Sequence, residues 1–420
     1  MKRTIAILVL LLSAGPARSE TWNVTQFSHL VNALYNAQAG DEVVIAPGQY
    51  HVTTNLYWTR RDVTIRGATG KAADVVLYGN GMNNKSGVLE GFWAAADGVQ
   101  LRDLTIRDFY YHGVHISGEG AGDLADNVVL SNLRVQNCGE RYVKLGQGPD
   151  MSENVLIEDS YFLQTEPYAP RPGHPVSETD YIGGIDAMEN ENWIIRNNRF
   201  EGIKGATGSG AGAIFLWNTS LNPLIDSNVI VDCGEGINLG NADNYKGTWH
   251  VTGATVRNNM LVQANSNSRL LQLSYTRDVR VVNNTLFSDG AYGGLVHVLD
   301  SAGIETEDLK LINNLIRGGF IDQSIGEYML LNNLVGSEVR ADWFIDPASG
   351  DLHLLDSAGM AIGQAIPLAD VLYDIDGQLR GCDPWPDLGA DEVAAIPEPM
   401  VLPTVLAGGW VVFRRRRRCG

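Results

Sequence analysis

The 420-residue chain has little cysteine and little positive charge. Its four cysteines, Cys138, Cys233, Cys382 and Cys419, are too few and too scattered for a disulfide framework. Thirty-one basic residues stand against 49 acidic ones, a formal net charge of −18. That balance leaves no basic face to displace counterions from a phosphate backbone, so nucleic acid is excluded as a partner. No apolar run reaches the roughly 20 residues of a transmembrane helix. With 44% hydrophobic and 19% charged residues, and 47 glycines in no fixed period, collagen, coiled-coil and disordered chains are also excluded. What remains is a globular or solenoid protein with ample material for a core.

Both ends carry processing patterns. Lys2-Arg3, the apolar run Ile5 to Leu12 and the small-residue site Ala17-Arg18-Ser19 make residues 1–19 a secretory signal peptide, with cleavage after Ser19. Near the other end, Pro397-Glu398-Pro399 precedes the 14-residue stretch Met400 to Phe413 and then Arg414 to Arg418. Residues 393–420 thus resemble the PEP-CTERM sorting signal of Gram-negative bacteria. The resemblance implies a transient membrane segment, an exosortase-type processing enzyme as a partner, and a final location outside the inner membrane. The trailing Cys419-Gly420 departs from that pattern. Removal of both segments takes eight basic residues and makes the mature protein more acidic still.

Between the ends a short strand recurs, closing on Asn-Asn or a polar relative. Ile194-Ile195-Arg196-Asn197-Asn198, Val256-Arg257-Asn258-Asn259, Val281-Val282-Asn283-Asn284, Leu311-Ile312-Asn313-Asn314 and Leu330-Leu331-Asn332-Asn333 are the clearest copies. Equivalent apolar residues from Ile106 to Val335 are spaced by 29, 27, 38, 30, 31, 25, 30 and 19. That period, with several β-branched runs per unit, predicts a β-solenoid. Asparagine at each corner suits a ladder of stacked amides and tolerates left-handed backbone. Cys138 and Cys233 share one phase of the repeat three coils apart, about 14 Å at ~4.8 Å per coil, beyond bridging distance. They are expected to be buried free thiols.

The repeat resembles that of right-handed parallel β-helix proteins of secreted bacterial carbohydrate-active families. A helix with Phe27, Leu30, Val31 and Leu34 on one face, followed by Asp41 to Tyr50, is similar to their N-terminal cap, and Asp374-Ile375-Asp376-Gly377 with Pro386 to Glu392 to their closing segment. The expected fold class is all-β: a single-stranded right-handed parallel β-helix of roughly ten coils with an N-terminal capping helix. The cap and coils occupy residues 20–340, the closing segment 341–392. The sequence has no diagnostic motif of pectate lyases or polygalacturonases.

Period-2 patterning aligns one strand of each coil. Val114/Ile116, Val143/Leu145, Ile185/Ala187, Ile214/Leu216, Ile237/Leu239, Leu271/Leu273 and Val296/Val298 point inward. The residues between form an outward column: His115, Lys144, Asp186, Phe215, Asn238, Gln272 and His297. A second column, two residues on, includes Gly146, Met188, Trp217 and Leu299. His115, Lys144 and Asp186 on consecutive rungs supply a base, a cation and a carboxylate, the set needed to remove a proton beside a sugar carboxylate. They are the candidate catalytic residues. Trp217, Asn238, Gln272, His297 and Phe215 are the candidate substrate-binding residues. Asp186 with Glu189 is a candidate metal pair; no cofactor follows from the sequence with certainty, and Ca2+ is the one ion considered. Insertions at Gly118–Asn127, Gly146–Asn154, Leu163–Ile182 and Lys204–Gly212 flank these rungs, and His174, Glu178, Asp180 and Tyr181 lie in the longest. Tyr142-Val143-Lys144 and Gly183-Gly184-Ile185-Asp186-Ala187 resemble segments of one β-helix group in which a histidine stands where Met188 stands here, which leaves His115 as the nearer base.

Three functions fit these residues. The leading one is an exported polysaccharide lyase acting on an extracellular glycan as a monomer. A glycoside hydrolase would pair Asp186 with Glu178, Asp180 or Glu189. A non-catalytic glycan-binding or structural matrix protein is the third. An open groove at His115, Lys144 and Asp186 favours an enzyme; loops packed over them favour the structural reading.

Overall fold

In the computed structural model the described residues are 19–393, apart from 119–123, 147, 149, 245, 264–268, 291–293 and 382–384. Both processing expectations, and Cys382 and Cys419, lie outside them or at their edge.

Each repeat folds as three short strands separated by corners. Stacking the repeats gives three parallel sheets, which hold 12, 11 and 13 strands among the described residues. The first begins at Thr21–Val24, the second at Gly48–His51 and the third at Tyr57–Trp58. Residues Ile106, Val135, Phe162, Phe200, Ile230, Leu261, Leu286, Ile316 and Val335 do stand opposite one another on successive rungs of the second sheet. Side chains alternate in direction along each strand, so one row per sheet turns inward and a single apolar column fills the axis from Val24 to Ile316. Cys138 and Cys233 are buried in it as free thiols.

The corner between the first and second sheets divides its work between two residues. The first takes left-handed backbone: Asn197, Asn258, Asn283, Asn313 and Asn332 have φ of 52–59°. The second turns inward and hands its amide oxygen to the preceding rung. Asn198 donates to Asn228 Oδ1 (3.1 Å), Asn228 to Asn259 (3.0 Å), Asn259 to Asn284 (2.9 Å), Asn284 to Asn314 (2.9 Å) and Asn314 to Asn333 (2.8 Å).

The helix Phe27–Asn36 lies against the first rungs and buries Leu30, Ala33 and Leu34, with Val31 only half-buried. The expected closing segment follows the last coils. The described residues of this segment pack along the outside of the coils: Val339, Trp343, Phe344, Leu352 and Leu354 cover Met260, Val262, Phe287 and Leu315 of the second sheet, and Val371 covers Val282 and Ile312 of the first. Arg380, buried, ties that segment together by donating to the carbonyls of Gly389 (3.0 Å) and Ala390 (2.8 Å). The last strand of the first sheet, Met329–Leu331, remains exposed.

Candidate functional site

The third sheet carries the column of interest. The strands His112–Ile116, Arg141–Leu145, Gly183–Glu191, Gly212–Leu221, Glu235–Leu239, Leu271–Ser274 and Val296–Leu299 pair in the expected register. His115 stands opposite Lys144, Lys144 opposite Asp186, Asp186 opposite Phe215, Phe215 opposite Asn238, Asn238 opposite Gln272, and Gln272 opposite His297. Met188 pairs with Trp217 in the second column.

Position in register does not mean exposure. Asp186 points away from the coil interior yet is 2% exposed. Its Oδ2 accepts from Arg141 Nε at 2.7 Å and faces Lys144 Nζ at 3.2 Å, and Oδ1 accepts from Trp217 Nε1 at 3.2 Å. Burial alone pushes this carboxyl up, but Lys144 and Arg141 outweigh burial and hold it well below the usual carboxylate range. Tyr181 roofs the group, its ring 4.2 Å from the Arg141 guanidinium carbon. Asp186 is thus not a solvated outward residue: it compensates a buried guanidinium.

The same contacts correct the metal expectation. Asp186 already answers two cations and an indole N–H, and Glu189 pairs with Lys246 instead. Nor does Asp186 fit a hydrolase acid, which must hold a proton. Asp180 accepts from Thr179 and Thr207 and lies below the usual range, those bonds overcoming burial. Glu178 is engaged with the Gly173 amide at 2.8 Å.

One rung toward the N-terminus, His115 donates Nδ1–H to Glu90 Oε2 at 2.8 Å and stacks on Trp93 with centroids 4.0 Å apart. The bond to Glu90 fixes the tautomer and leaves Nε2 as the basic atom. A side chain begun at Gly146 would stand 3.6 Å from that Nε2, so this glycine keeps the space beside the base open. His112, perpendicular to His115 at 5.2 Å, is half-buried, and its Nδ1 has no partner among the described residues. Burial, then the neighbours His115, Lys144 and Arg141, hold His112 neutral, its pKa well below the ordinary histidine range.

The 164–182 segment latches over these rungs. Arg171 donates to the carbonyls of Met82 (2.9 Å) and Tyr110 (2.7 Å) and pairs with Glu140 (3.1 Å), which also faces His174 (3.5 Å). Gly139 makes room for the guanidinium: a Cβ there would lie 2.0 Å from Arg171 Nη2. On the far side of the latch a cavity of about 240 Å³ is lined by Arg141, Tyr181, Phe215, Asn238, Arg269 and Gln272, among others. Asn238 donates to Glu235 at 2.5 Å and Gln272 to the Gly240 carbonyl at 2.8 Å. Phe215 and Trp217 stack on each other at 5.2 Å. His297 lies one rung beyond Gln272, against the Gly294 carbonyl at 3.0 Å, and does not line the cavity.

The structure thus brings His115, Lys144, Asp186 and Trp217 together and sets Phe215, Asn238 and Gln272 on a neighbouring cavity. The pattern missed Glu90, Arg141, Glu140 and Arg171. Arg141 had a readable signal, since its partner on the next rung is Gly183, a position without a side chain to block it. Glu90 and Arg171 lie outside the strands and had none.

The profile of the family described as "Right handed beta helix region" matches residues 86–286. The fold is a right-handed parallel β-helix. Among solved structures, pectate lyase Pel9A superposes with a TM-score of 0.50 at 12% identity, covering 90% of this chain and 97% of that one. An alginate lyase from Paenibacillus sp. str. FPU-7 gives 0.45 at 16% identity, over 76% of this chain and 99% of that one. The surface protein and adhesin PfbA of Streptococcus pneumoniae gives 0.46 at 12%, over 74% and 92%. At these identities the likeness is one of fold. No curated protein matches the sequence.

Proposed function

We propose that this β-helix protein is exported and cleaves an acidic extracellular polysaccharide by β-elimination at the third sheet. The observation that carries the reading is the Glu90–His115 pair set one rung from Lys144. His115 Nε2 removes the proton from the sugar carbon next to the carboxylate. The electron pair forms the double bond as the glycosidic C–O bond breaks, and the departing oxygen takes up a proton. Lys144 neutralises the substrate carboxylate and so stabilises the charge that develops on it. Asp186, itself fixed by Arg141, holds Lys144 in place. Arg141, Lys144 and Arg171 balance the carboxylates of Asp186, Glu140 and Glu90 here, so a polyanion meets a locally balanced surface in a chain of net charge −18.

Purified protein incubated with a polysaccharide panel, read by ultraviolet absorbance of unsaturated uronides and by reducing ends, tests the proposal. Cleavage by the parent protein, lost in His115→Ala and Lys144→Met, supports it. Cleavage without the unsaturated product points to hydrolysis instead. The latch of residues 164–182 over Arg141 and Asp186 favours a second reading, a non-catalytic glycan-binding or matrix protein, which stands if nothing on the panel is cut. Export, and exosortase-type release near Pro397-Glu398-Pro399, are tested by mass spectrometry of protein from the native host; a tail retaining Arg414 to Arg418 would sink the sorting reading.

A further inference from the structure

The outward column does not begin at His115. Register carries it back through Trp93 to Tyr57, and the rings follow at 4.0 Å (His115 to Trp93) and 5.4 Å (Trp93 to Tyr57). Beyond Tyr57 opens a cavity of about 910 Å³, between Tyr35 at the end of the capping helix, the His51–Arg60 segment and Asn80. That is the size range of small-ligand clefts. Tyr35 is 63% and Tyr57 40% exposed, which is unusual for side chains this large. Thr53, Thr54, Asn55 and Thr59 also line the cavity, and no carboxylate does, in a chain that has 49 acidic residues. Arg60 supplies its permanent charge. Its guanidinium reaches only the Tyr35 carbonyl, at 3.5 Å, and pairs with no carboxylate among the described residues.

We propose that this cleft is a distal subsite for an acidic oligosaccharide. The inference rests on the glycan reading above and extends it. A uronate chain whose reacting unit lies at His115 continues along the column for two rungs, about 10 Å, to Tyr57. There the exposed rings meet the apolar faces of sugar units, the threonine and asparagine side chains meet their hydroxyls, and Arg60 takes a carboxylate. Tyr57 also donates its hydroxyl to the Gly118 carbonyl at 2.8 Å, in the loop that follows the His115 strand. Because the cleft lies away from the reacting bonds, its contribution appears with long substrates and vanishes with short ones.

Isothermal titration of His115→Ala protein with oligogalacturonates and oligoalginates, each as a disaccharide and as a longer chain, tests the assignment. One of the two longer series should bind about tenfold more tightly than its disaccharide, equivalent to about 1.4 kcal/mol. Arg60→Ala and Tyr57→Ala should each abolish that gain and leave disaccharide binding unchanged. Tyr57→Phe, which keeps the ring and loses only the bond to Gly118, should retain it. Binding independent of length, a gain that survives Arg60→Ala, or no binding of either series overturns the subsite. A parent protein that cuts nothing while its length gain depends on Arg60 ends the enzymatic reading and leaves this one standing. Cleavage with no such gain does the reverse.

Discussion

Two columns of polar side chains run along this β-helix, and they are built on opposite principles. At the corner between the first and second sheets, one residue type repeats from Asn198 to Asn333, and every amide oxygen in the run accepts from the rung before it. On the third sheet each rung differs: His115, Lys144, Asp186, Phe215, Asn238, Gln272. Lys144 meets Asp186 within the column, but the other partners come from outside it, from Glu90, Arg141 and Trp217, and some atoms are left over on this sheet, such as His112 Nδ1 and Asn238 Oδ1. Identical side chains at a fixed rung spacing satisfy one another, with only strand carbonyls such as those of Ile195, Ile225 and Val256 taking further amide hydrogens. Unlike side chains at the same spacing do so only where their charges match, as at Lys144 and Asp186, and otherwise draw in groups from outside the column. Polar groups retained at that cost, in reach of a cavity, mark a surface shaped for something other than stability.

The contrast is sharpest at Asp186. Asp186→Ala leaves the Arg141 guanidinium buried without its carboxylate and should cost about 3–5 kcal/mol in denaturant unfolding, besides ending any glycan cleavage. Adding Arg141→Met should restore much of the stability and none of the activity. If the double variant is no more stable than the single one, the pair is not what holds this part of the sheet.

Next in size is the ladder itself. Asn259→Ala strips the acceptor from Asn228 and should cost about 2–3 kcal/mol by the same measurement while glycan binding and cleavage stay unchanged. A loss of activity larger than the loss of folded protein would show that the two columns are coupled.

Gly139→Ala displaces Arg171 and should release the latch at a cost of about 1–3 kcal/mol, detected as faster proteolysis within residues 164–182. Cleavage that rises in this variant makes the latch a cover over a working site. Cleavage that is absent in both proteins favours the structural reading.

The smallest effect concerns pH. His112 is neutral in the folded protein, with its pKa well below the ordinary 6.5. Below that value the unfolded chain binds a proton that the folded one refuses, so stability present above about pH 6.5 is lost as pH falls toward the folded-state pKa. His112→Asn should flatten the dependence of Tm on pH in that window. An unchanged profile would mean that the fold does not hold His112 neutral.

Much of this was legible in the sequence because the repeat is its own alignment. The Asn-Asn pairs gave the corner, and the inward pairs from Val114/Ile116 to Val296/Val298 gave the register of the third sheet to the residue. The ladder, too, could be foreseen, although not that its two asparagines do different work. What failed was the step from register to environment. Period-2 patterning says which side of a strand Asp186 occupies and nothing about the 164–182 segment that comes to lie over it. The docking of the closing segment was hidden for the same reason: its resemblance covered sequence order, while Met260, Val262, Phe287 and Leu315 make an outer face whose apolar character is spread over three repeats.

The sequence by itself determined the stack: strand, corner and inward row recur at short range, so local propensity and side-chain periodicity suffice to specify them and the rungs follow by repetition. Only the tertiary structure decided which outward residues became a site. Glu90 reaches His115 from 25 positions away, Arg141 reaches Asp186 from 45, and Arg171 reaches Met82 from 89. Those meetings depend on where irregular segments settle on a regular scaffold. No periodicity encodes that, because a loop's resting place is set by the surface it finds and not by its own pattern.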